Sequence, residues 1–303
     1  VTTIDIDHTS RWFGNVVAVN DVTMRIGPGV TGLLGPNGAG KSTLINMMGG
    51  FLAPSTGAVT LDGTPIWGNE QVYRQIGVVP EREAMYDFLT GREFVVANAE
   101  LHGLDDAAAR RALATVEMEY AQDRKIATYS KGMRQRVKMA SALVHEPSVL
   151  LLDEPFNGMD PRQRMQLMDL LRRMGDDGRT VLFSSHILEE VEQLASHIEV
   201  VVAGRHAASG DFRKIRRLMT DRPHRYLVRS SDDRALAAAL IGDPSTSGIE
   251  VDVQEGALRI QASDFGRFTE LLPQVARAHG IRLLTVSPSD ESLESVFSYL
   301  VAA

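Results

Sequence analysis

The stretch Gly35-Pro36-Asn37-Gly38-Ala39-Gly40-Lys41-Ser42-Thr43 combines closely spaced glycines with a lysine and two hydroxyl residues, between the apolar run Val30 to Leu34 and the helix-like run Leu44 to Phe51. Gly35, Gly38 and Gly40 let the backbone turn tightly and aim successive N–H groups inward. The result is a nest for a diphosphate at a helix N-terminus, where the dipole also favours anions. Lys41 then reaches the outer phosphates and Ser42 ligates Mg²⁺. A glycine-rich turn that binds nothing has the same composition; what separates the two is the set of residues that follows.

Downstream, Val149-Leu150-Leu151-Leu152 runs unbroken into Asp153-Glu154-Pro155. An apolar run without alternation reads as a strand buried on both faces of a parallel sheet, so both carboxylates emerge at its C-terminal edge, where such sheets bind ligands. Asp153 suits a magnesium ligand, and Glu154 a group that orients or activates water. A pair of solvated loop acids is the alternative, made less favourable by the order of strand, Asp, Glu and Pro after a phosphate loop.

The elements needed to hold these groups are visible as well. Thr2 to Ile26 reads as strands around a turn, Ala58 to Val79 as a strand, a helix-like segment and a strand, and residues 85–143 as mostly helical, with Gly103 separating Arg92 to His102 from Asp105 to Glu119. The run Thr180 to Ser184 forms another strand, followed by Ser185-His186. Ser130 stands where it would cap a helix Lys131 to Leu143, and Asp160-Pro161 reads as an N-cap with a first-turn proline. His186 alone would be an ordinary surface histidine; its place after a strand that follows Asp153 and Glu154 favours a role in the site.

Tyr129-Ser130-Lys131-Gly132-Met133-Arg134-Gln135-Arg136 is similar to the signature of the ATP-binding cassette (ABC) family, LSGGQ, and Asn157-Gly158-Met159-Asp160 stands where that family's D-loop stands. The resemblance covers roughly residues 4–203. It implies an α/β cassette with a mixed sheet, an antiparallel β part and a helical part, binding ATP and Mg²⁺. By the resemblance, Phe13 stacks on adenine, Glu154 activates water and His186 senses the terminal phosphate. Ser130 and Gly132 of one chain would close over the nucleotide held by Lys41 of another, as a homodimer or heterodimer. Glu81, in Val78-Val79-Pro80-Glu81, occupies the place of the family's magnesium-contacting Gln and resembles a type-2 exporter branch. Lys131 and Met133 depart from the usual signature. The implied partner is an integral membrane permease whose helix enters a groove beside Glu81, placing the chain at the cytoplasmic face of the membrane. Tyr86, Phe88 and Leu89 are either core or the floor of that groove.

Composition is compatible with these expectations. The chain has 303 residues, 44% of them hydrophobic, and no cysteine, which excludes disulfides, zinc–thiolate centres and thiol redox chemistry. It has no apolar run of the ~18 residues a membrane span needs and no basic-then-apolar start, so neither a span nor a signal peptide is expected. The net charge of −7 disfavours nucleic acid as a general partner. Lys131, Arg134, Arg136 and Lys138, and again Arg213, Lys214, Arg216 and Arg217, form basic clusters read as solvated helix faces.

Residues 205–303 change pattern and carry balanced charge. Strands at Tyr226 to Arg229, Ile249 to Val253, Leu258 to Gln261 and Ile281 to Val286 alternate with helices at Asp232 to Ile241 and Phe265 to His279, and a loop is expected at residues 242–248. The order β-α-β-β-α-β suggests a ferredoxin-like accessory domain after a cassette ending at residue 204. A last helix, Glu291 to Val301, contains Asp290 to Phe297, which resembles the tail of type-2 exporter ATPases. Rival readings are a chromosome or DNA-repair ATPase, for which the interval between Lys41 and Ser130 leaves no room for coiled-coil arms, and a ribosome-associated protein, which would resemble two tandem cassettes. A slow cassette paired with an active relative also remains open, because of Glu81 and Met133.

Overall fold

The computed structural model describes residues 2–82, 85–211, 223–252 and 256–288. Backbone contacts divide the chain into two compact units, residues 1–210 and 211–303.

The first unit is built on two sheets. Strands β1 (Ile4–Phe13), β2 (Val16–Ile26), β4 (Thr56–Leu61) and β5 (Thr64–Pro65) form an antiparallel sheet in the order β2-β1-β4-β5. Strands β3 (Gly29–Leu34), β6 (Ile76–Val79), β7 (Val149–Leu152), β8 (Thr180–Ser185), β9 (His197–Val202) and β10 (Arg205–Gly210) form the other, in the order β10-β9-β3-β8-β7-β6. All pairs in that sheet are parallel except β9–β10. β7 and β8 are buried at every position, as their unbroken apolar runs require. Helix α1 (Lys41–Met48) leaves the end of β3, and its Leu44, Ile45 and Met48 pack with Ile4, Val22 and Leu61 of the antiparallel sheet and Leu33, Leu151 and Leu182 of the parallel one.

Parallel pairing with β8 between β3 and β7 delivers three segments to one edge. Leu34 lies opposite Ser185 and Leu152 opposite Phe183, so Gly35, Asp153 and His186 all begin just beyond the sheet. This is the crevice at the carboxyl ends of strands where α/β sheets place ligands.

The short α2 (Glu70–Tyr73) precedes β6, and between β6 and β7 come α3 (Gly91–Leu101), α4 (Asp106–Thr115) and α5 (Lys131–Leu143). Thr90 and Glu93 form a reciprocal capping box at α3, and Asp105 caps α4. Gly103, at φ 73°, ends α3 in the left-handed conformation that glycine adopts without strain. Helices α6 (Pro161–Asp176) and α7 (Leu188–Leu194) connect the last strands.

The first unit runs on to Gly210 because β10 pairs antiparallel with β9. The hairpin encloses Glu199, 1% exposed, whose Oε2 lies 2.6 Å from His206 Nε2 and whose Oε1 accepts from Ser209 Oγ at 2.9 Å and lies 3.2 Å from His197 Nε2.

The second unit contains β11 (His224–Ser230), α8 (Asp233–Leu240), β12 (Thr246–Asp252), β13 (Ala257–Ala262), α9 (Phe265–Ala278) and β14 (Leu283–Pro288). The strand order is β12-β13-β11-β14 with every pairing antiparallel, and the element order is the β-α-β-β-α-β of a split βαβ sandwich. Tyr226, Val228, Leu258 and Ile260 pack with Leu236, Leu240, Phe268 and Leu272. Strand β12 begins at Thr246, inside the segment expected to be a loop, because Thr246 and Gly248 pair with Ala262 and Gln261. The basic run from Arg213 to Arg217, the segment Asp290 to Phe297 and the helix expected over Glu291 to Val301 lie outside the described residues.

The hydrogen bond from Glu199 raises the pKa of His206 above its ordinary value of 6.5; burial opposes this, and the charge of Glu199 adds to the rise. The stabilisation is therefore full below about pH 6.5 and is lost as pH rises through the raised value. His206→Gln is expected to lower the unfolding free energy by about 1–3 kcal/mol at pH 6 and by less at pH 9, as read by urea denaturation. Equal losses at the two pH values would contradict this pairing.

Candidate active site

The loop after β3 depends on glycine at two points. Gly38 and Gly40 have φ of 79° and 102°, and a Cβ on Gly40 would lie 2.5 Å from the Ala18 carbonyl oxygen. Neither position accepts a larger residue without strain. α1 starts at Lys41 with no acidic residue in its first turn, so nothing on the helix itself opposes an anion at its N-terminal amides. Lys41 is 7% exposed; its Nζ donates to the Gly35 carbonyl at 2.7 Å and the Pro36 carbonyl at 3.3 Å, and lies 3.8 Å from Glu154 Oε1. Burial lowers the Lys41 pKa, opposed by the charges of Glu154, Asp153 and Glu81. An open cleft of about 360 Å³ sits here, lined by the loop from Asn37 to Thr43 with Ala18, Glu81 and Glu154.

Asp153 and Glu154 end β7 nearly out of water, at 5% and 8% exposure. Ser184 on the neighbouring β8 holds both: its hydroxyl donates to Asp153 Oδ1 at 2.6 Å and accepts from the Glu154 amide at 2.9 Å. Glu154 has φ 49°, rare for a residue with a side chain. Its Oε2 lies 2.9 Å from His186 Nδ1 while Oε1 faces Lys41. One carboxylate thus stands between an ammonium and an imidazole at the mouth of the phosphate-sized cleft. Such a group can accept a proton from water held beside a phosphoryl group.

Ser130, Gly132 and Phe13 do not line this cleft. Ser130 caps α5, its hydroxyl accepting from the Met133 amide at 3.2 Å. Asp160 caps α6, accepting from the Gln163 amide at 2.9 Å, with Pro161 in the first turn. A Cβ on Gly132 would collide with the Gln163 side chain, and Gly158, at φ 75°, packs against Lys131. Asn157 donates its amide to the Glu154 carbonyl at 3.3 Å, and Met159 to that of Phe156 at 3.2 Å. The segment Asn157-Gly158-Met159-Asp160 therefore runs from the end of β7 to the cap of α6 and packs against the start of α5.

One basic cluster differs from its reading as a solvated face. Lys138 is 5% exposed, and its Nζ donates to the Pro80 carbonyl at 2.7 Å and reaches those of Glu81 and Arg82 at 3.4 Å. Arg134 binds Asp87 at 2.7 Å and Arg136 binds Gln166 at 2.6 Å. The face packs on the rest of the unit and fixes the loop that carries Glu81. Sequence reasoning also passed over Ser184 and Glu190. Ser184 was detectable as a hydroxyl in an apolar strand, next to the strand bearing Asp153. Glu190, 4% exposed, accepts from Ser185 Oγ at 2.6 Å, but nothing in its helical spacing distinguished it from its neighbour Glu189. Tyr86 and Phe88 are exposed, with ring centroids 5.7 Å apart, so neither is core.

The model of the ABC transporter family matches residues 19–157. The bacitracin transport ATP-binding protein BcrA of Enterococcus faecalis is 31% identical over 98% of this chain and 96% of its own length. The daunorubicin/doxorubicin resistance ATP-binding protein DrrA of Streptomyces peucetius is 34% identical over 92% of this chain and 86% of its own. Among solved structures, an ATP-binding subunit of an ABC transporter superposes with TM-score 0.64 at 30% identity, covering 71% of this chain and 92% of that one. The dimeric bacterial cassette MJ0796, at 24% identity, shares the fold with TM-score 0.64 over 69% of this chain and 98% of that one. With a phosphate loop, two carboxylates and a histidine gathered at one sheet edge, and with full-length relatives of this kind, the chain belongs to the ABC transporter ATP-binding subunits.

Proposed function

We propose that this chain binds ATP with Mg²⁺, hydrolyses it as one half of a head-to-tail pair, and drives a separate membrane permease in the direction of export. The observation that carries the reading is Glu154, held between Lys41 and His186 at the cleft. Lys41, now bonded to loop carbonyls, turns to the outer phosphates. Glu154 takes the proton of the attacking water, and His186 orients Glu154 and helps stabilise the charge that develops on the phosphoryl group. Positioning and electrostatics supply most of the acceleration in phosphoryl transfer.

Ser42, Asp153 and Glu81 offer hydroxyl and carboxylate oxygens, the donor type a hard cation takes. No trio of His, Asp and Glu among the described residues forms a metal cage, which suits an ion held through one or two side chains and the substrate's own phosphates. Bound there, Mg²⁺ would neutralise the phosphate charge. Asp153 is kept oriented by Ser184.

The placement of Ser130 and Gly132 outside the chain's own cleft supports closure by a second copy or a relative. A permease contact is supported by two separate features, the exposed Tyr86 and Phe88 and a groove of about 280 Å³ lined by Phe51, Tyr73, Asn98, His102 and His145. That contact would hold the subunit at the cytoplasmic face of the membrane. No described helix is long and apolar enough to cross a membrane. The export direction is supported by the relatives' names, among them Nod factor export ATP-binding protein I of Rhizobium etli, 33% identical over 69% of this chain. In this reading the unit beyond Gly210 adjusts pairing or coupling and supplies no catalytic group.

Glu154→Gln is expected to keep ATP affinity and lose ~10²–10⁴ in hydrolysis, accumulating an ATP-bound pair by gel filtration; wild-type turnover would remove Glu154 from its role. Ser184→Ala, which frees Asp153 and the Glu154 amide, is expected to slow hydrolysis about tenfold, the loss of roughly one buried charge-assisted hydrogen bond, and an unchanged rate would show those bonds to be idle. Glu81→Gln removes a negative charge beside the metal position and is expected to shift the Mg²⁺ dependence of the rate, which a metal titration of both proteins measures; superimposable curves with and without permease would make Glu81 a bystander.

A further inference from the structure

At the tip of the β1–β2 hairpin, the Cζ of Arg11 lies 4.7 Å from the centroid of the Phe13 ring. Arg11 and Phe13 stand two residues apart on β1, so the pleat sets both side chains on the same face of the strand. The register slips between Thr9 and Arg11 and between Arg11 and Trp12 place their extra residues on β2 and leave that alternation intact. Arg11 is anchored from behind, its Nη1 donating to the Ala53 carbonyl at 3.1 Å. Ser55 fixes the same end of the strand, its amide donating to Ser10 at 2.8 Å and its hydroxyl accepting from the Trp12 amide at 3.3 Å. Phe13 remains 47% exposed. It is paired with Val16, and β2 continues from there to Ala18, which lines the phosphate cleft and abuts Gly40.

We propose that Arg11 is a positioning residue for the nucleotide base: it occupies one face of Phe13, holds the ring in place and leaves the other face to a purine. The inference rests on Phe13 serving as the adenine platform. A planar guanidinium stacks on an aromatic face and draws its π-density, so the opposite face offers a better surface to an electron-rich purine. A phenyl ring has no hydroxyl with which to fix its own orientation. The anchored Arg11 supplies that restraint, and an ordered ring loses less freedom when a base lands on it. Arg11 acts through Phe13 and touches no phosphate, so its effect is confined to ligands that carry a base.

The full chain, Arg11→Met, Arg11→Lys, Phe13→Ala and the double variant Phe13→Ala with Arg11→Met are titrated by calorimetry with Mg-ATP and with Mg-tripolyphosphate. Arg11→Met is expected to weaken ATP roughly 3- to 10-fold and to leave tripolyphosphate within about twofold, with Arg11→Lys recovering part of the loss. In hydrolysis the same variant raises KM and leaves kcat in place. Adding Arg11→Met to Phe13→Ala is expected to cost nothing further, since the contact is already gone. If Phe13→Ala weakens ATP while Arg11→Met does not, or if Arg11→Met weakens both ligands equally, the inference is overturned and the platform role of Phe13 stands. If Phe13→Ala leaves ATP binding unchanged, the platform role itself is overturned, and the inference with it.

Discussion

The first unit is organised by one electrostatic constraint: an ammonium and two carboxylates are removed from water at the end of a parallel sheet. Lys41, Asp153 and Glu154 are each under a tenth exposed, and charges in such a place survive only if paired or hydrogen-bonded on every side. Each has such partners. Lys41 spends its protons on the Gly35 and Pro36 carbonyls and faces Glu154; Ser184 serves Asp153 and the Glu154 backbone; His186 closes the remaining carboxylate oxygen. In the proposed role, a triphosphate would offer Lys41 a stronger acceptor than two carbonyls, so internal bonds would be exchanged for ligand bonds without exposing a bare charge.

That arrangement dictates the surrounding architecture. Glu154 sits at positive φ, a conformation that persists only where neighbours overdetermine it. Below it, Phe156 and Phe183 meet edge to face with centroids 5.8 Å apart, locking the turn that follows β7 against β8. Beyond it, the segment from Asn157 to Asp160 runs directly into the cap of α6 and lies against Lys131 at the start of α5. The carboxylate-bearing end of the sheet and the helix headed by Ser130 are thereby one packed assembly. A movement of α5, which also holds the Glu81 loop through Lys138, has a direct mechanical route to Glu154.

The sequence disclosed what depends on local pattern. Unbroken apolar runs located β3, β7 and β8, glycine spacing located the phosphate loop, and Ser130 and Asp160 announced their helices because capping is a short-range interaction. Contacts that come from tertiary packing were not legible. Lys138 looks like a surface lysine in its own helix, and only the fold shows three carbonyls converging on it. Strand β12 was read as starting late because Thr246, Ser247 and Gly248 have loop composition; pairing with β13 overrides that preference. Likewise the boundary after the first unit moves past Arg205 to Gly210, since the need to satisfy the buried Glu199 with His206 and Ser209 is invisible in a chain of alternating small residues. His186 was legible only by its position after β8, and its bond to Glu154 required the parallel register.

In the proposed function, the buried Lys41 reads the outer phosphates of ATP at this cleft. The most direct measurement is calorimetric titration of Mg-ATP into the wild-type chain and into Lys41→Ala, both verified as folded by circular dichroism. A clear binding isotherm is expected for the wild type and a loss of at least about tenfold in affinity for the variant, the effect of removing one charged contact. Equal affinities in two equally folded proteins would contradict it.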